Sequence, residues 1–250
     1  MANRIDHNED STLSRRKFLQ NAGYAVGGLI VGGIAGSFFP SSAPQKTPPP
    51  APATEPTSYT QALMFFTQEQ FKIVEAATER IFPQDELGPG AKALGVAYFI
   101  DHQLAGDWGF NARDYMQAPF FKGEKVQGYQ GRLKRRELFD IGLREMQNYS
   151  NATYKKNFPD LTPEEQDAVL KVFEDGKINL STISETGFFN LLRASTMEGV
   201  YADPLYGGNK NMDGWKLKSF PGNQMAYTQV IEQDAFTKIE PKSLKDHLAH

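Results

Sequence analysis

Strand-like alternation of apolar and polar residues is almost absent from this chain of 250 residues, and apolar positions recur instead at three- and four-residue spacing. That period marks amphipathic helices packed on a shared core. Five such segments are legible. Thr67-Gln68-Glu69-Gln70 is an N-cap with a Gln three residues on, followed by Phe71, Val74, Ala77, Thr78 and Ile81 before Pro83 stops the run. A second helix covers Lys92 to Leu104. A third, charge-laced, covers Arg132 to Tyr149 with Leu133, Leu138, Ile141, Leu143 and Met146 apolar. Thr162-Pro163-Glu164-Glu165 is the clearest start, with a Thr cap, Pro at the first helical position and Glu placed to return a bond. That helix runs through Val169, Leu170 and Phe173 to Gly176. The fifth runs from Ser184 or Glu185 to about Val200 with Phe188, Phe189, Leu192 and Met197 apolar. The expectation is an all-α, single irregular helical domain.

Two connections in this domain are long, 106–131 and 201–223, and loops longer than about 15 residues are normally functional or disordered. The first holds Trp108, Phe110, Tyr115, Phe120, Phe121 and Tyr129, and the second Tyr201, Tyr206, Trp215 and Phe220. Such aromatics either cover the chain's own helices or enter a partner, where Tyr and Trp are favoured.

The start of the chain has a different composition. Residues 18–45 carry no charge, and Ala22 to Phe39 is small and apolar with six glycines. A basic lead-in before such a run reads as an export signal. Ser14-Arg15-Arg16-Lys17-Phe18-Leu19-Gln20 resembles the twin-arginine signal, Ser/Thr-Arg-Arg-x-Phe-Leu-Lys, with Gln20 in place of the usual Lys. Arg15, Arg16, Phe18 and Leu19 carry that likeness; the alternative is an uncleaved membrane anchor. Cleavage falls either at Ala51-Pro52-Ala53 or nearer Ala35–Ala43. The organisation expected is a twin-arginine signal over 1–39, a Pro-rich linker over 40–60, the helical domain over 61–240, and a polar tail, 241–250, that frays.

Chemistry is constrained by omission. The chain has no cysteine, which excludes disulfides, thiolate metal sites, iron–sulfur clusters and covalent c-type haem. Its histidines are His7, His102, His247 and His250, so only His102 is central. The net charge of −3 gives no reason to expect nucleic acid as a partner. It divides into +2 over the first fifty residues and −5 over the rest. Gly88-Pro89-Gly90-Ala91-Lys92-Ala93 fits a dinucleotide fingerprint in letters only, because a helix and not a strand precedes it. Asp101-His102 is expected to face solvent or cap a neighbour. Glu198 and Asp203 could form an acid–base pair, or Asp203 could cap the turn that follows while Glu198 bonds its backbone. Asp203, Asn209, Asn211 and Asp213 offer oxygen donors at a spacing a calcium ion could use, although Gly-Gly-Asn is also ordinary turn chemistry. No catalytic, cofactor or metal-binding residue is assigned.

Phe188-Phe189-Asn190-Leu191-Leu192-Arg193-Ala194-Ser195-Thr196-Met197-Glu198-Gly199-Val200-Tyr201-Ala202-Asp203-Pro204-Leu205-Tyr206-Gly207-Gly208-Asn209, with Gly214-Trp215 and Phe220-Pro221-Gly222, resembles the gluconate 2-dehydrogenase subunit 3 family. Its members are the small subunits of membrane-bound sugar and sugar-acid dehydrogenases. The resemblance implies a non-catalytic gamma subunit that stabilises a large flavoprotein subunit holding FAD and supplies its export signal. A multihaem cytochrome c subunit with c-type haem would pass electrons to quinone as D-gluconate becomes 2-keto-D-gluconate. It also implies the twin-arginine translocase as a partner and a periplasmic location at the inner membrane. Some relatives tie the two subunits through a cysteine; without one, any such link here is non-covalent. The motif residues Glu198, Gly199, Asp203, Pro204, Tyr206, Gly207, Gly208, Asn209 and Trp215 are expected at the partner interface. The alternatives are a small subunit of a related sugar or polyol dehydrogenase, a stand-alone periplasmic hydrolase, or a sugar-binding module.

Overall fold

A computed structural model of the chain describes residues 61–248 apart from 122, 229, 234 and 236. Arg15, Arg16, Phe18 and Leu19, the glycine-rich run and the Pro-rich linker therefore lie outside the described residues. Contacts divide the chain into two units, residues 1–55 and 56–250, and the second contains every element described here.

Seven α-helices and no strand occur among the described residues: α1 (Gln68–Ile81), α2 (Val96–Ala105), α3 (Arg135–Tyr154), α4 (Pro163–Asp175), α5 (Glu185–Tyr201), α6 (Asp213–Leu217) and α7 (Lys245–Leu248). The all-α expectation holds. Both predicted capping boxes close. Thr67 Oγ1 accepts from Gln70 N at 3.2 Å while Thr67 N donates to Gln70 Oε1 at 3.0 Å. Thr162 and Glu165 do the same at 3.3 and 2.9 Å.

Two helix starts differ from the sequence reading, for local reasons. α2 begins at Val96, not Lys92, because Gly95 adopts a left-handed backbone (φ 74°) and breaks the run. α3 begins at Arg135, not Arg132, because the Glu137 carboxylate captures the Lys134 N–H at 2.7 Å and fixes the cap there. It then continues to Tyr154, where Lys155 turns left-handed (φ 59°).

α5 is the central helix and packs on α1, α2, α3, α4 and α6. A helix surrounded by others is apolar around most of its circumference. Phe188, Phe189, Leu192 and Val200 are buried on it, and buried Ser195 and Thr196 return their hydroxyls to the carbonyls of Leu191 and Leu192 (2.9 and 2.8 Å). Phe188 meets Phe139 of α3 and Phe173 of α4 edge-on, at centroid distances of 5.8 and 6.1 Å. These contacts join three helices in one aromatic core.

The chain enters this core at residues 62–66, held by a buried acid. Asp101 of α2, fully buried, accepts from the backbone N–H groups of Met64 (2.6 Å), Phe65 (3.1 Å) and Phe66 (2.7 Å). Next to it, His102 Nε2 pairs with Ala62 O at 2.9 Å. Of the two outcomes foreseen for Asp101-His102, both side chains take the capping one.

Candidate functional site

The segment singled out by sequence, Glu198 to Trp215, folds back over the last turn of α5. Asp203 caps a 3-10 turn, Pro204–Tyr206, by accepting from Leu205 N at 2.9 Å. The chain then reverses through Gly207 (φ 100°) and Asn209 (φ 47°). Asn209, with no exposed surface, joins both arms of the reversal: its Nδ2 donates to Ala202 O and its Oδ1 accepts from Gly214 N, each at 2.8 Å. A buried amide with both ends satisfied acts as a backbone surrogate, and its loss would strand two polar groups.

The glycines are needed for approach. A Cβ on Gly208 would lie 2.3 Å from Gly199 O, and one on Gly214 would lie 2.1 Å from Val200 O. The loop therefore rests backbone-to-backbone on the end of α5. Lys210 N donates to Leu94 O at 3.0 Å, which ties the loop to the turn before α2. Trp215 inserts beneath it, only 6% exposed, with Nε1 donating to Tyr201 O at 2.8 Å and Phe220 edge-on at 5.4 Å.

The motif residues expected at a partner interface differ in exposure within this chain. Gly199, Gly208, Asn209 and Trp215 are buried within this chain, and Asp203, Pro204 and Gly207 are half-buried. Glu198 and Tyr206 are exposed, and Tyr206 presents 48% of its surface.

The two carboxylates of the supposed acid–base pair have different surroundings. Asp203 Oδ1 also accepts from Ser243 Oγ at 2.7 Å and its Oδ2 from Leu244 N at 2.8 Å, so both oxygens are held. Glu198 has no such partners. Partial burial pushes its carboxyl above the ordinary value of 4.5, and the charge of Arg135 on α3 draws it partly back. The residue as a whole is exposed, so solvent keeps that effect small. The sequence expectation that Asp203 caps its own turn holds.

Three of the four oxygen donors considered for a hard cation have partners within the chain, and the fourth, Asn211, is exposed. Asn209 Oδ1 is taken by Gly214 N, Asp203 by three donors, and Asp213 pairs with Lys216 Nζ at 2.8 Å. The Gly88–Ala93 stretch is a turn. Asp85 Oδ1 accepts from Leu87 N at 2.8 Å and Gly88 N at 3.2 Å, and the helix α1 is the element before it.

Sequence reasoning missed two features. One is the burial of Asp101, for which a signal existed: an acid flanked by Ala97, Ile100 and Leu104 at helical spacing. The other is the C-terminal segment, where a fraying end was expected. Ser243 is buried, α7 follows it, and His247 Nε2 pairs with Asn223 O at 2.8 Å. A short polar tail carries no periodic signal that could have announced this.

A model of the family described as gluconate 2-dehydrogenase subunit 3 matches residues 68–222. The chain belongs to the gluconate 2-dehydrogenase subunit 3 family. No curated protein and no solved structure matches it. Membership spans α1 to α6 and includes the whole Asn209 reversal. As a subunit family of a multi-subunit dehydrogenase, it implies partner subunits.

Proposed function

We propose that this chain is the non-catalytic gamma subunit of a membrane-bound, FAD-dependent gluconate 2-dehydrogenase. In this reading it stabilises the flavoprotein subunit that oxidises D-gluconate to 2-keto-D-gluconate. It also carries that subunit's twin-arginine export signal to the periplasm. A multihaem cytochrome c subunit completes the complex and passes electrons to quinone at the inner membrane. Family membership over residues 68–222 carries the reading. The geometry of the motif supports it, because its polar groups are used to hold the chain's own backbone together: Asn209 across its reversal, Asp203 at its cap and tail. A rigid scaffold of this kind suits an escort.

The partner surface then lies on residues that this framework presents outward. Tyr206 and Phe220 lie on the second long connection and Met225 and Tyr227 just after it, and all four are exposed. Aromatics and Met in such positions favour a protein interface. Co-expression with the flavoprotein subunit tests the reading. An Arg15→Lys, Arg16→Lys chain leaves dehydrogenase activity in the cytoplasm, and Y206A/M225A lowers co-purification of the flavoprotein by about tenfold or more without moving the melting temperature of this subunit. Unchanged periplasmic activity in the first case would falsify the export role. Unchanged co-purification in the second would remove this surface from the interface.

A further inference from the structure

After Asn111 the first long connection is neither core cover nor part of the family motif's framework. Trp108, at its start, packs on Phe139 (6.4 Å between centroids) and under Arg135 (5.0 Å), and Arg136 lies 4.2 Å from the ring of Phe110. Beyond these anchors the chain leaves the body. Among the described residues from 112 to 130, Met116 alone is even half-buried. The exposed side chains include large apolar ones: Tyr115 at 83%, Phe121 at 76% and Val126 at 94% exposure, with Phe120 and Tyr129 also open. Soluble surfaces seldom place so many in one short segment without a use for them.

Charge sets this segment apart as well. Residues 110–132 hold four basic residues (Arg113, Lys122, Lys125, Arg132) against two acidic (Asp114, Glu124), a net of +2. Residues 51–109 and 133–250 together hold 18 basic against 25 acidic, a net of −7. Asp114 is already paired with Arg135 at 2.7 Å. The result is a basic, aromatic projection on an acidic body. An anionic surface attracts the projection and repels the rest, so charge alone orients the molecule.

We propose that residues 110–132 bind the anionic phospholipid surface of a bilayer, with Tyr115, Phe121 and Val126 entering the headgroup region and Arg113 and Arg132 meeting lipid phosphates. Tyr115, Phe121 and Val126 stand open to solvent at 76–94% exposure, which suits a deformable headgroup layer better than a shaped protein face. Aromatic rings with flanking cations are the side chains that the membrane–water boundary favours. No helix among the described residues is long and apolar enough to cross a membrane, so the contact is interfacial. The inference does not depend on the chain's role as a gamma subunit.

The test uses the full chain carrying Phe121→Trp, with the wild-type signal of Trp108 and Trp215 subtracted, so that the reporter sits in the projection and not in the leader. Vesicles of phosphatidylglycerol mixed with phosphatidylcholine shift the F121W emission to the blue, and brominated acyl chains quench it. Pure phosphatidylcholine does neither, and molar salt reverses the effect. Adding Arg113→Glu and Arg132→Glu weakens the vesicle affinity reported by F121W by more than about tenfold. The proposal is overturned by an F121W signal indifferent to anionic vesicles, by an equal response to neutral ones, or by a shift seen with the flavoprotein subunit and not with lipid. The F121W outcomes stand even where the double charge reversal fails to fold.

Discussion

At Asn209 and Asp101 a polar side chain is more buried than most of the chain's leucines, and each is there to satisfy backbone. Asp101 answers three N–H groups and Asn209 one N–H and one carbonyl. In an interior where unmet polar groups cost about 1–3 kcal/mol each, such residues fix one path for the chain. Glu198 is the opposite case, an acid whose charge the fold slightly disfavours. Its folded-state pKa is raised above its unfolded value, so the stability linked to its neutral form is full below pH 4.5 and is lost as pH rises through the raised value. Glu198→Gln, which cannot ionise, is therefore expected to melt with the wild type at pH 4 and slightly above it at pH 7. Because the side chain is exposed, the gain is below about 1 kcal/mol. Thermal melts of the two chains across that range check the sign. A variant less stable at pH 7 would mean that the attraction of Arg135 outweighs partial burial.

Among the elements, helix propensity and packing make opposite forecasts at Gly142. It lies inside α3, where alanine would be favoured by about 1 kcal/mol on propensity alone. A Cβ there would meet the Phe188 ring at 2.3–2.5 Å. That ring is confined by Phe139 and Phe173 and cannot move aside. Overpacking of this kind costs about 1–3 kcal/mol or more, so G142A is expected to lower the melting temperature by a few degrees; a rise would mean that α3 and α5 can separate freely. The case also marks what the sequence makes legible. Capping boxes at Thr67 and Thr162 and the apolar period placed all five long helices, because those signals are local. Gly142 reads as a helix weakness until Phe188, 46 positions later, is known to cross it. The Asp203–Asn209 turn was visible as turn chemistry, and Asp203 as its cap. That Gly208 rests on Gly199 and that Trp215 reaches back to Tyr201 depend on the reversal itself, which no spacing rule supplies.

For the whole molecule, the question is what closes the fold after the family segment ends at residue 222. The chain returns to it. Asn223 N donates to Lys242 O at 2.7 Å, Lys242 N to Pro221 O at 3.2 Å, and Ser243 and Leu244 deliver two donors to Asp203. The segment 241–248 thereby latches the carboxylate that caps the motif's first turn, and His247 adds a bond to Asn223. Hydrogen bonds to a charged acceptor contribute about 1.5–3 kcal/mol each, reduced here by partial exposure and by the entropy of ordering the tail. A chain ending at Lys242 keeps Leu205 N on Asp203 and loses the other two donors. It is expected to be less stable by about 2–4 kcal/mol, a melting-temperature drop on the order of 5–10 °C for a body of this size. Asp203→Asn in the full chain removes the charge that both donors seek. If the latch is one unit, the truncation and D203N together destabilise by clearly less than the sum of the two alone. Additive losses would show that the tail stabilises the body through contacts other than Asp203, and an unchanged melt on truncation would show that the latch contributes nothing to closing the fold.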